Sequence, residues 1–167
     1  MGKIKIGGIM QSEGRAILRV MSVPERPDVA GIILKALGSQ GINIEFLVES
    51  FDLDGYGNFT LCIDQRDLDS ALAILDQVKQ AIDAKAISYD PDVGVVSVFG
   101  PHFREKPMVS GIMFSALGDA GITPLAISTS ISSVSCIVKA YEIDMAVKVL
   151  EDAFESPFGV KERAKEY

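Results

Sequence analysis

The sequence predicts an α+β fold built from two similar βαββαβ units, each an antiparallel sheet with helices on one face. Three observations lead there. A stretch of sixteen residues recurs eighty positions further on, apolar residues switch regularly between strand and helix periods, and Gly, Pro and Asp punctuate the switches.

The repeat sets the organisation. Residues 27–42, PDVAGIILKALGSQGI, align with residues 107–122, PMVSGIMFSALGDAGI. Pro27, Val29, Gly31, Ile32, Ala36, Leu37, Gly38, Gly41 and Ile42 recur as Pro107, Val109, Gly111, Ile112, Ala116, Leu117, Gly118, Gly121 and Ile122. Nine identities at one offset indicate a duplicated supersecondary unit.

Each element then follows from its pattern. Residues 15–23, RAILRVMSV, are rich in β-branched and aliphatic residues after a Ser-Glu-Gly turn and predict a strand. PERPD breaks it, and Val29, Ile32, Ile33, Ala36 and Leu37 form the apolar face of a helix that Gly41 ends in a left-handed cap. Residues 42–51 alternate as a strand, DLDGYGN turns the chain, and residues 59–64 return as a second strand. Asp67 suits the cap of a second helix, whose buried face is Leu68, Ala71, Leu72, Leu75, Val78 and Ile82. Residues 84–90 give a last strand. This order is that of a ferredoxin-like unit.

The second copy runs 93–100 (strand), Val109, Ile112, Met113, Ala116 and Leu117 (helix), 122–130 and 133–140 (strands), then Ile143, Ala146, Val147, Leu150 and Phe154 (helix). No strand is expected after Phe158. Residues 3–10, KIKIGGIM, read as a strand with no place in the first unit, and a missing last strand would leave an edge open. The expected domains are therefore a continuous unit, 14–92, inserted into a discontinuous one, 3–10 plus 93–158, with 159–167 a charged tail.

Composition excludes several classes. A net charge of −7 with scattered basic residues argues against nucleic acid and against an anionic membrane surface. No apolar run reaches bilayer length and no leader pattern opens the chain, so a cytoplasmic location is expected. Cys62 and Cys136 each sit within an apolar strand pattern and read as buried free thiols. His102 is the single histidine, and neither a nucleophile elbow nor a phosphate-binding glycine loop is present. No catalytic site, cofactor or metal is expected in this chain. Asp52, Asp54 and Asn58 suggest a calcium loop, but the place of its bidentate glutamate is Ile63, so a hairpin turn explains them. The hydroxyl run Ser128, Thr129, Ser130, Ser132, Ser133 and Ser135 reads either as a polar hairpin end or as a hydroxyl wall for a polar ligand. Ile17, Met21, Leu47 and Phe51 are expected on the sheet face away from the helices, available to a sheet or chain interface.

Five stretches carry a family resemblance: GIM…RAILRVMSVPERP, ALGSQGINIEFLVES, DPDVGVVSVFG, ALGDAGITPLAISTSISSVSCIV and AVKVLEDAFE. Together they resemble the tandem ACT domains of the aspartate kinase regulatory region, or its separate β subunit, over about residues 6–156. The family's kinase domain, which binds ATP and aspartate, has no counterpart here. The resemblance implies a non-catalytic regulatory module in feedback control of amino-acid biosynthesis. It would bind a small amino acid, lysine or threonine, at ACT interfaces, form a homodimer, and act on a separate or linked kinase domain. The alternative is a dimerisation or assembly module without effector binding.

The implied effector residues are Pro24, Glu25, Arg26, Pro27, Asp28, Val29, Glu49, Ser50 and Asn58 in the first unit. In the second they are His102, Phe103, Arg104, Pro107, Met108, Val109, Ser128, Thr129 and Ser130. Several depart from the family pattern. Asp28 and Met108 stand where the family has glycine, Glu49-Ser50 replaces a Gln-Asn pair, and Ile131 replaces a glutamate. Asp28 is placed to cap its own helix and to repel an effector carboxylate.

Overall fold

The computed structural model describes residues 2–163. The chain forms two compact units, Gly14–Asp92 and the residues on either side of it, to Glu13 and from Val93.

The first unit contains β1 (Gly8–Pro24) from Gly14 onward, α1 (Val29–Gly38), β2 (Phe46–Phe51), β3 (Tyr56–Asp64), α2 (Leu68–Val78) and the opening of β4 (Ala86–Phe99). Its strands lie in the order β2-β3-β1-β4. The antiparallel register sets Ile17 against Cys62 and Leu18 against Leu61, with a bulge between Val20 and Val23. Residues that face each other across strands share a sheet face. Leu18, Leu61 and Phe59 thus meet Val29, Ile33 and Leu37 of α1 and Leu68, Ala71 and Leu75 of α2 in one core. The helical period selects these positions, and their burial supplies the driving force.

The second unit holds the start of β1, β4 from Val93, α3 (Met108–Asp119), β5 (Ala126–Thr129), β6 (Ser133–Lys139), α4 (Ile143–Ala153) and β7 (Val160–Glu162). Here the order is β7-β1-β4-β6-β5. Ile9, Val96, Val98, Val134, Cys136 and Val138 pack on Val109, Met113 and Leu117 of α3 and on Ile143, Val147 and Leu150 of α4.

Both first helices end alike. Gly41 and Gly121 have φ of 75°, and the N–H groups of Ile42 and Ile122 reach back to the carbonyls of Leu37 and Leu117. This Schellman closure folds Ile42 and Ile122 into the core. It also delays the next strands, which begin at Phe46 and Ala126 instead of at residues 42 and 122.

Four further expectations need correction. The Ser-Glu-Gly break does not occur. β1 runs unbroken from Gly8 to Pro24 because Gly14, at φ 66°, absorbs the irregularity within the strand. Likewise β4 passes through Asp90-Pro91-Asp92 without stopping. A strand does follow Phe158, since β7 pairs parallel with Ile9–Gln11 of β1. Finally, Asp67 makes no side-chain cap. A 3₁₀ turn at Gln65–Asp67 precedes α2, and Asp64 accepts from the Arg66 N–H.

Candidate functional site

In the first unit the loop between β1 and α1 bends over the end of β2. Glu25, Arg26, Pro27, Ala30, Glu49 and Phe51 line an open cleft of about 430 Å³, within the range of small-molecule sites. Four of these, Glu25, Arg26, Pro27 and Glu49, are among the expected site residues. Phe51 was legible in principle, because Glu49 and Phe51 are two apart on a strand and share a face. That face is the helix-covered one, as Leu47 stands opposite Leu61 and Phe51 opposite Gly57. Leu47 and Phe51 are exposed there because β2 is the edge strand, beyond the cover of the helices. Ile17 lies on the reverse face and is buried.

One ion pair takes up the cation of the cleft. The Arg26 guanidinium holds Asp28 with two hydrogen bonds, Nε to Oδ1 at 3.0 Å and Nη2 to Oδ2 at 2.6 Å. Its Nη1 donates to the Ala81 carbonyl at 2.8 Å. The hydrogen bond from Arg26 lowers the Asp28 pKa, and the same bond raises that of Arg26. Asp28 therefore does not cap α1, contrary to expectation. It occupies the cap position, but its carboxylate is turned to Arg26. Glu25 and Glu49 then dominate the cleft charge.

The remaining first-unit residues serve the fold. Val29 is in the core. Asn58 Oδ1 accepts the N–H of Ser22, a residue at φ 55° in the β1 bulge, so Asn58 satisfies a strained strand. Ser50 stands opposite Asn58 in the register and does not line the cleft. In the β2–β3 turn, Asp52 Oδ1 accepts from the N–H groups of Asp54 and Tyr56, which is a hairpin turn.

The second unit departs more. Phe103 and Val109 are core residues. His102 is exposed in a left-handed conformation, φ 65°, ahead of the 3₁₀ turn Phe103–Glu105. Lys106 Nζ donates to the Lys5 carbonyl at 2.8 Å. Arg104, Pro107 and Met108 are exposed. Ser130 closes the β5–β6 hairpin by accepting from the N–H groups of Ser132 and Ser133. Ser128 faces Ser135, whereas Thr129 faces Val134 and so lies on the opposite, helix-bearing side.

Residues 96–154 match the family model described as ACT domain. The chain is a tandem ACT protein related to aspartate kinase. The aspartate kinase of Pseudomonas fluorescens is 31% identical over 150 residues, 90% of this chain and 36% of that protein. The aspartokinase of Corynebacterium efficiens is 27% identical over 93% of this chain and 37% of its own length. The ACT chain thus spans about a third of these relatives. Among solved structures, a chain from aspartokinase alpha and beta subunits superposes with a TM-score of 0.82 at 29% identity, over 89% of this chain and 97% of that one. The ligand-free regulatory subunit of aspartate kinase from Thermus thermophilus has the same fold, with a TM-score of 0.83 at 23% identity over 90% and 99% of the two chains. By these matches the ACT chain is similar to one part of the aspartate kinases. No helix among the described residues is long and apolar enough to cross a membrane.

Proposed function

We propose that this chain is a cytoplasmic regulatory module that binds a small amino acid in the first-unit cleft and controls a linked or separate aspartate kinase domain, closing a feedback loop on amino-acid biosynthesis. The observation that carries the reading is the cleft itself, with Glu25 and Glu49 on its walls and Arg26 already engaged by Asp28. A cleft with that charge favours an amino acid bearing a second cation, hence lysine over threonine. Asp28 leaves the first-turn N–H groups of α1 without a side-chain cap, and these suit the effector's α-carboxylate. The exposed Leu47 and Phe51 on β2 support a homodimer.

The second reading, an assembly module without an effector, is favoured by the second-unit loop, where Phe103 and Val109 are core residues. Thermal unfolding with free lysine, threonine and other amino acids separates the two. A ligand specific to the folded state stabilises by about 2.7 kcal/mol at a hundredfold excess over Kd. Lysine alone should raise the midpoint, and Glu49→Gln should reduce that shift. A dimer that responds to none of the amino acids would establish the assembly module instead.

A further inference from the structure

A second cleft, of about 460 Å³, opens in the second unit and is lined by Met10, Ser97, Phe99, Ser133, Ser135, Lys161, Glu162 and Arg163. Its floor is the sheet face away from the helices. Val96, Val98, Val134 and Cys136 point into the helix-covered core, and Ser97, Phe99, Ser133 and Ser135 alternate with them. Ser97, Ser135 and Ser128 form a row across β4, β6 and β5. The Oγ atoms of Ser97 and Ser135 are 2.6 Å apart. One of the two hydroxyls donates to the other, which keeps its own proton for an outside acceptor.

The wall is β7. Its register sets Lys161 beside Met10 and Glu162 beside Gln11. Glu162 is engaged by the Gln11 side-chain amide at 2.8 Å and faces the Glu13 N–H at 3.4 Å. Lys161 makes no ion pair among the described residues. Its Nζ stands 6.0 Å from the Phe99 ring centre and 5.6 Å from that of Phe158. A cation held over rings and open to the cleft retains most of its attraction for an anion.

We propose that this cleft binds a small organic acid, its carboxylate received by Lys161 and the Ser97–Ser135 hydroxyl pair and its short apolar body set against Phe99 and Met10. The site is separate from the first-unit cleft and does not depend on the reading given to that one. One lysine with two hydroxyls matches a single carboxylate, and the Phe99 and Met10 walls reward carbon that a bare ion lacks.

Amide NMR of the full chain, titrated at constant ionic strength with acetate, benzoate and inorganic phosphate, tests this. Saturable shifts at Ser97, Ser135 and Lys161 are expected, with benzoate binding more tightly than acetate and phosphate giving no saturation. Lys161→Met, an exposed change that keeps the aliphatic stem, should weaken benzoate at least tenfold, whereas Glu49→Gln should leave it unchanged. No saturation by either carboxylate, equal binding of phosphate, or an undiminished affinity in Lys161→Met would overturn the proposal.

Discussion

Gly94 of β4 lies where α4 begins, opposite Val138 of β6. A Cβ at this position would collide with Ile143 Cδ1 and stand 2.9 Å from both Ile143 Cγ1 and the Ser12 carbonyl oxygen. The side chain of Ile143 is buried, so turning it from its rotamer costs about 0.5–1.5 kcal/mol. The Ser12 oxygen belongs to the β1 backbone and yields only if the strand moves. Overpacking of this kind costs roughly 1–3 kcal/mol, against which the stiffer unfolded chain of an alanine variant returns about 0.4–1 kcal/mol. Gly94→Ala should therefore lose about 1–2 kcal/mol in urea unfolding followed by circular dichroism, with an unchanged slope. Ile143→Val alone should cost about 0.5–1.5 kcal/mol, and the double variant should be more stable than the sum of the two losses, since the shorter side chain removes the colliding Cδ1. A Gly94→Ala loss below about 0.5 kcal/mol, or strict additivity, would refute the account of this contact.

Further outcomes follow from buried groups. Arg15 Nε is 2.7 Å from Glu45 Oε2 and its Nη1 is 3.8 Å from Asp64 Oδ2, all three side chains being largely buried. Arg15→Met takes the buried cation away from Glu45, while Asp64 keeps its pairing with Arg66, and should destabilise by about 3–5 kcal/mol in denaturant, with added Glu45→Leu recovering a large part of it. Burial pushes the thiols of Cys62 and Cys136 up from 9.0 to about 12. The unfolded thiols ionise near 9 and the folded ones do not, so stability is constant below that pH and falls as pH rises from 9 towards 12. The slope should approach about 1.4 kcal/mol per pH unit for each cysteine, and replacing both with alanine should flatten it. At pH 8 Ellman's reagent should label neither thiol until the protein is unfolded.

The fold class was legible because the two periods of burial are written directly into the chain. Ile33 and Leu37, or Leu68, Ala71 and Leu75, can satisfy a helical period only with one face inward, and the core uses these residues. Strand limits were less legible. Ser12-Glu13-Gly14 and Asp90-Pro91-Asp92 carry turn residues, but β1 and β4 run through them, with Gly14 left-handed inside its strand, so the sheet overrides local preference. Val160–Glu162 is too short for any periodic signal and exists because β1 offers an edge to it. For the first-unit cleft, Glu25, Arg26 and Glu49 could be named from the family pattern. The turning of Asp28 towards Arg26 could not, since it depends on the path of an exposed loop and on the Ala81 carbonyl, which is distant in sequence. Phe103 illustrates the converse. A polar loop sequence, PHFREKP, hides one aromatic that the core claims.

The second unit draws its sheet from residues on both sides of the first, with β1 before Gly14 and β4 to β7 after Asp92. During synthesis the first unit has all of its strands once residue 92 has left the ribosome, so it can fold while the rest is being made. The leading segment of β1 must wait for β4 and is satisfied last, by β7. For the second unit the entire first unit is one long loop, and loop closure grows only logarithmically, by about 0.6 kcal/mol for each doubling of length. Sequence can therefore be added to or removed from the first unit at little cost to the closure of the second.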